Sequence, residues 1–253
     1  SYEYLREGGR RRGVLMKLAR YALSLSFFCL WLLVLVPLVV APTPAESAPP
    51  SGLLWLDEFS DLTLDPAWAW VREDPTYWSL AAAPGHLRIT TQTGGIAGPG
   101  STQRNILLAT APAGDYQITT RVTIKPTKNY QHAAILVYQD GENYVELNRA
   151  YVDGQTVDFD GEVGGAITSL QRSETATTLY MRIVKRGVTY SGYYSPDGQA
   201  WELAGQHVAH LDAPRIGLSA ANGISGVPEI SADFDFFKVE AAGARLFLPA
   251  VRN

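Results

Sequence analysis

The chain has 253 residues, 46% of them hydrophobic and 18% charged, a balance that excludes an intrinsically disordered chain. Six of the 21 basic and three of the 25 acidic residues lie in 1–48, which leaves 15 against 22 and a net charge of −7 for the remainder. The basic residues are scattered, so the chain lacks the basic patch that nucleic-acid binding requires.

The sequence opens at Ser1, and its first methionine is Met16. From there the pattern is that of a secretory signal: Lys17 and Arg20, then the apolar run Tyr21–Val40, then small residues to Ala48. The run is also long enough for an uncleaved membrane anchor. Arg11-Arg12-Gly13-Val14-Leu15 resembles a twin-arginine export signal, although the very apolar run argues for the general secretory route, and either route predicts an extracytoplasmic, secreted or surface-held protein. Residues 1–48 are thus assigned to an extension and signal peptide or anchor, and 49–53 to the end of a Pro/Ala/Ser linker. Cys29, the one cysteine, lies inside the apolar run, so a mature domain would fold without disulfides.

Residues 54–240 read as a single β domain, followed by a tail over 241–253 whose Leu246-Phe247-Leu248-Pro249 segment is apolar. Strands are expected over 87–91, 116–124, 133–138, 144–151, 177–185, 188–194, 216–220 and 234–239. Turn pairs separate them, among them Asp140-Gly141, Asp153-Gly154, Gly164-Gly165 and Asn222-Gly223. No helix-period segment of useful length intervenes. Alternation gives each strand two faces. Tyr116, Ile118, Thr120, Val122 and Ile124 oppose Arg121 and its neighbours. Tyr144, Glu146 and Asn148 oppose Val145 and Leu147. Leu179, Met181 and Ile183 oppose Tyr180 and Arg182. Many short strands of this kind predict an all-β, two-sheet antiparallel sandwich.

An ordered series of short motifs runs through the domain: Asp57-Glu58-Phe59-Ser60, Leu64-Asp65-Pro66-Ala67-Trp68, Trp78-Ser79-Leu80, Pro84-Gly85-His86-Leu87-Arg88, Gln131–Asp140 with Asn143-Tyr144-Val145, Tyr193–Trp201, Ile216-Gly217-Leu218 and Phe234–Val239. The series resembles the concanavalin-A-like module at the C-terminus of family 43 β-xylosidases. The resemblance implies a jelly roll whose concave sheet or edge loops bind sugar, with a polysaccharide or oligosaccharide as partner. It also implies a structural calcium where first and last strands meet, for which Glu58 and Asp235 are the matching positions.

Two chemistries compete on the polar faces. Related family 16 glucanases carry Glu-x-Asp-x-x-Glu on one strand, with acid and nucleophile about 5–5.5 Å apart. The nearest stretch here, Val157–Val163, holds Asp158, Asp160 and Glu162, but its spacing differs by one residue and Asp160-Gly161 reads as a hairpin turn. Glu146 has Asn148 two residues on, a pairing suited to hydrogen bonding with hydroxyls rather than acid–base work. No G-x-S-x-G elbow is present, and His86, His132, His207 and His210 lack metal-ligand spacing, with His207 and His210 reading as surface residues. Sugar recognition needs aromatic faces and paired polar groups. The candidate contacts are Trp70, Arg121, Tyr144, Glu146, Asn148 and Arg182, and the expected function is a non-catalytic carbohydrate-binding module. A glycoside hydrolase and an adhesion domain without a sugar ligand are the alternatives.

Overall fold

The computed structural model describes residues 52–243, which belong to the second of two compact units of the chain, Ser47–Asn253. The signal or anchor segment, and the tail from residue 244 on, lie outside the described residues. None of the described residues forms a helix long and apolar enough to cross a membrane.

Among the described residues sixteen strands, numbered in chain order, form two sheets of eight. The back sheet runs β14 (Glu202–Val208), β13 (Thr189–Ser195), β12 (Thr178–Arg186), β7 (Tyr116–Thr123), β16 (Ser231–Ala241), β4 (Leu87–Thr90), β3 (Trp78–Ser79), and β1 (Leu53–Asp57) also pairs with β16. The front sheet runs β11 (Ala166–Ser173), β10 (Gln155–Val163), β9 (Asn143–Tyr151), β8 (Gln131–Asp140), β15 (Arg215–Asn222), β6 (Ile106–Thr110), β2 (Ala69–Val71), with β5 (Gln92–Thr93) parallel to β15. All other pairings are antiparallel, and the fold is the expected two-sheet sandwich of the concanavalin-A-like type.

The alternation read from the sequence fixes the core. Ile118, Val122, Leu179, Met181, Ile183, Phe234 and Phe237 from the back sheet meet Ile135, Val137, Val145, Leu147, Val157, Phe159 and Leu218 from the front sheet. Burying one such side chain stabilises by about 1.5–3 kcal/mol. Opposite positions of β8, β9 and β10 therefore point away from the core on the front sheet's outer face.

Along one edge the two sheets close on each other through glycines. A Cβ at Gly192 would meet the Phe159 ring at 2.9–3.1 Å, one at Gly161 would meet the His207 ring, and one at Gly205 would run into Leu170. These three positions let β13 and β14 of one sheet press against β10 and β11 of the other. At the opposite side the chain enters and leaves together: Leu53 pairs with Glu240, and Ala241 N donates to Gly52 O at 2.7 Å.

One expected turn is strand instead. β10 runs unbroken through Asp160 and Gly161, which pair with Glu146 and Val145 of β9. The hairpin turn lies four residues later at Gly164-Gly165, with φ of +59° and +77°. Two consecutive left-handed residues suit a two-residue hairpin, and glycine adopts that conformation without a Cβ penalty.

Candidate functional site

Because β10 is unbroken, Asp158, Asp160 and Glu162 share the outer face of the front sheet with Tyr144, Glu146 and Asn148. The register sets them in cross-strand rows. One row is Ser219, Ala134, Asn148, Asp158 and Gln171; the next is Gly217, Leu136, Glu146, Asp160 and Ser169. A further row carries Tyr138, Tyr144 and Glu162.

This face is recessed. Glu146, Asn148, Asp158 and Glu162 are each at most 5% exposed, whereas Asp160 and His132 are half-buried and Ser169 and Gln171 are exposed. The segment between β5 and β6 folds over one end. Gly98 N donates to Gly141 O at 2.7 Å and to Glu162 Oε2 at 3.2 Å, and Ile96 packs with Leu136, Tyr138 and Tyr144.

The polar groups divide into satisfied and unsatisfied sets. Asp160 accepts from Asn148 Nδ2 at 2.9 Å and from Ser169 Oγ, and Asp158 Oδ2 accepts from Thr156 Oγ1 at 3.2 Å. Glu146 Oε1, Asp158 Oδ1 and Ser219 Oγ are shut off from solvent with no hydrogen-bond partner among the described residues. Both amide atoms of Gln103, on the covering segment, are in the same state. Buried polar atoms are rarely left so, because each costs about 1–3 kcal/mol when unpaired.

Burial also sets the protonation of the cluster. Desolvation first, then the charges of Asp160 and Asp158, push Glu146 up to about 8. Desolvation and the Asp160 charge push Asp158 up to about 6. Burial pulls the His132 imidazole down. Nδ1 of His132 lies 3.1 Å from the Tyr130 carbonyl and so carries the ring proton, leaving Nε2 as an acceptor 3.5 Å from Glu146 Oε1. At neutral pH this is a long contact between a protonated carboxyl and a neutral imidazole, not an ion pair. Buried against Glu146 and Glu162, the Tyr144 phenol is also pushed up, so it stays a neutral donor.

Of the residues expected at a sugar site, the structure brings Tyr144, Glu146 and Asn148 together and sets the other three apart. Arg121 and Arg182 stand on the outer face of the back sheet. Arg121 Nη1 donates to Asp235 Oδ2 at 2.9 Å, and the Arg182 guanidinium lies 3.8 Å over the Trp201 ring. Trp70 packs against the core with its ring 5.1 Å from Trp78. Alternation separates in from out, but both sheets have an out, and nothing in a single strand says which sheet it joins. His132, Ser169, Ser219 and Gln103 were missed. Only His132 and Ser219, two residues from other outward positions of their strands, carried a periodicity signal.

The two residues expected to hold calcium lie just after β1 and within β16. Glu58 is exposed after β1, and Asp235 has its charge offset by Arg121 and lies 3.6 Å from His86 Nε2. Among the described residues no three His, Cys, Asp or Glu side chains converge on one point. His207 is not at the surface: it is 8% exposed, and its Nε2 lies 2.9 Å from Phe159 O in the glycine seam.

Known proteins share this architecture. A point mutant of the GH43 protein BlXynB from Bacillus licheniformis is 25% identical with a TM-score of 0.69, over 74% of this chain and 39% of that one. The xylan β-1,4-xylosidase of Bacillus halodurans C-125 is 21% identical with a TM-score of 0.64, over 73% and 38%. The bifunctional GH43-CE protein of Bacteroides eggerthii is 20% identical with a TM-score of 0.64, over 78% and 27%. The chain thus spans well under half the length of these proteins. No curated protein matches by sequence. The family model for the β-xylosidase C-terminal concanavalin A-like domain matches residues 56–240, nearly the whole sandwich, and the chain belongs to that family.

Proposed function

We propose that this domain is a non-catalytic carbohydrate-binding module that takes a sugar over the outer face of the front sheet. The observation that carries the reading is the set of solvent-excluded, unpartnered polar atoms there, Glu146 Oε1, Asp158 Oδ1 and Ser219 Oγ, beneath the more open Asp160, His132 and Ser169. Sugar hydroxyls donate and accept at once, so they match a face that presents a neutral carboxyl, a carboxylate and an amide within two cross-strand rows. Kinship with the domain that accompanies xylosidase activity in the Bacillus halodurans protein supports the same class of ligand. Export past the membrane, inferred from the apolar N-terminal run, belongs to this reading and is checked by sequencing the N-terminus of the secreted protein.

Glu146 opposite Asp160 favours a second reading. A carboxyl pushed up to about 8 facing a second carboxyl across the strands is an arrangement that glycoside hydrolysis can use. One experiment separates the two. The full chain is incubated with a panel of neutral polysaccharides, and protein depletion and new reducing ends are read in the same tubes. Depletion without new ends, weakened about 10-fold by Asp160→Asn or Asn148→Ala, is the expected result. New ends that disappear in Glu146→Gln would instead establish the hydrolase.

A further inference from the structure

The outer face of the back sheet holds a second arrangement, remote from the carboxylate cluster. Three of the cations across its middle are matched to acids: Arg88 to Asp233 at 2.6 Å, Arg121 to Asp235 at 2.9 Å, and Lys238 to Glu240 at 3.2 Å. Arg182 has no ion-pair partner among the described residues. Glu240, the nearest acid to influence it, is already held by Lys238 and by Gln117 Nε2 at 2.8 Å.

Arg182 is nonetheless fixed. Its guanidinium lies flat enough over Trp201 to bring Cζ within 3.8 Å of the ring centroid, and Nε donates to Thr119 Oγ1 at 3.1 Å. Among the described residues its two terminal nitrogens donate to nothing, and they are not among the solvent-excluded polar atoms, so that edge of the fork is open. Burial pulls its pKa down more than the charge of Glu240 raises it, as expected for a cation held partly out of water. Beside it Trp201, Tyr180 and Phe236 form a half-buried aromatic strip, with ring centroids 6.5 and 6.4 Å apart. A bulge in β16 turns Phe236 outward: the register slips between Phe234 and Phe236, so Asp235 and Phe236 both face away from the core.

We propose that this strip is a binding site for an acidic sugar, with Arg182 taking the carboxylate of a uronic acid and Trp201 and Tyr180 flanking its ring. A planar carboxylate fits the open edge of a guanidinium in a two-bond fork. The fork is pre-set by Trp201 and Thr119, so little side-chain freedom is lost on binding. Exposed ring surface takes the C–H face of a sugar. The net charge of −7 beyond residue 48 disfavours densely charged polyanions, which leaves a ligand with a single local carboxylate as the match for a single open cation.

The test uses the full chain and two oligosaccharides that differ in one group: one bearing a single glucuronic acid unit, and the same oligomer with that carboxyl reduced to a hydroxymethyl. Titration calorimetry and tryptophan fluorescence read the binding. The wild type is expected to bind the acidic oligomer at least about 10-fold more tightly than the reduced one. Arg182→Gln should erase that preference and Arg182→Lys should retain only part of it. Arg172→Gln, at an exposed arginine of the other sheet, should leave it unchanged, and Arg182→Gln should erase it equally in an Asn148→Ala background, so the two sugar readings stand or fall separately. Equal affinity of the wild type for the two oligomers overturns the proposal and needs no variant. So does a preference that survives in Arg182→Gln, or equally tight binding of a blocked dipeptide carboxylate.

Discussion

Arg149 has no exposed surface and no carboxylate partner among the described residues, yet it donates hydrogen bonds to four oxygens: the carbonyls of Ala176, Ala150 and Thr156 and the amide oxygen of Gln155. It sits at an inward position of β9, where alternation calls for an apolar residue, and its fork ties the loop after β11 to β9 and β10. Arg149→Met fits the volume but orphans those oxygens. It should cost about 2–4 kcal/mol in chemical denaturation, and Arg149→Lys should not restore the loss, since an ammonium cannot span the same acceptors. Glu146 gives a prediction of opposite character. Its folded pKa, about 8, lies above the unfolded value of 4.5, so the folded state binds the extra proton between those limits. Stability therefore falls as pH rises from about 4.5 through 8, and Asp158 adds to the fall between about 3.8 and 6. Melting temperatures across pH should show Glu146→Gln level with the wild type near pH 4.5 and above it near pH 8.5. At this scale the sequence disclosed which side chains leave the core, as with Glu146 and Asn148. It did not disclose that Arg121 and Arg182 leave it on the far side, because that depends on which strands pair.

Among the elements, β10 shows how turn chemistry competes with strand pattern. Asp160-Gly161 and Gly164-Gly165 both suit a hairpin, and the later one keeps the pairs of Asp160, Gly161, Glu162 and Val163 with Glu146, Val145, Tyr144 and Asn143 of β9, which a turn at the earlier pair would forfeit. The same choice lines up three acids on one face. The bulge in β16 was equally hidden: Phe234 and Phe237 both face inward, which breaks the two-residue period that strand reading relies on. Glycine positions carry the remaining constraint. Gly192→Ala places a methyl against the Phe159 ring, where neither sheet can retreat without opening the seam. A loss of about 1–3 kcal/mol in urea denaturation, largely recovered by pairing it with Phe159→Leu, is the expected outcome.

For the molecule as a whole, the two-layer architecture was legible because eight strands with clean alternation leave no other way to bury their apolar faces. The edges were not. β1, β2, β3, β5 and β11 are short or almost wholly exposed, so burial prints no period on them, and their places are set by partners distant in sequence. The carboxylate cluster of the front sheet lay between these extremes: its residues stood in readable strands, but its depth comes from the covering segment before β6, which has no regular pattern.

The pairing of Leu53 with Glu240, and of Gly52 with Ala241, has a mechanical consequence. Polypeptide arrives at and departs from the sandwich at points about one strand spacing apart, roughly 5 Å. Spliced into a longer chain at these residues, the domain hangs to the side of the line of tension and adds almost nothing to the reach of the tether. A pull on both flanks meets the β1–β16 ladder end-on, so its hydrogen bonds are loaded one after another, as in a zipper, rather than all together in shear.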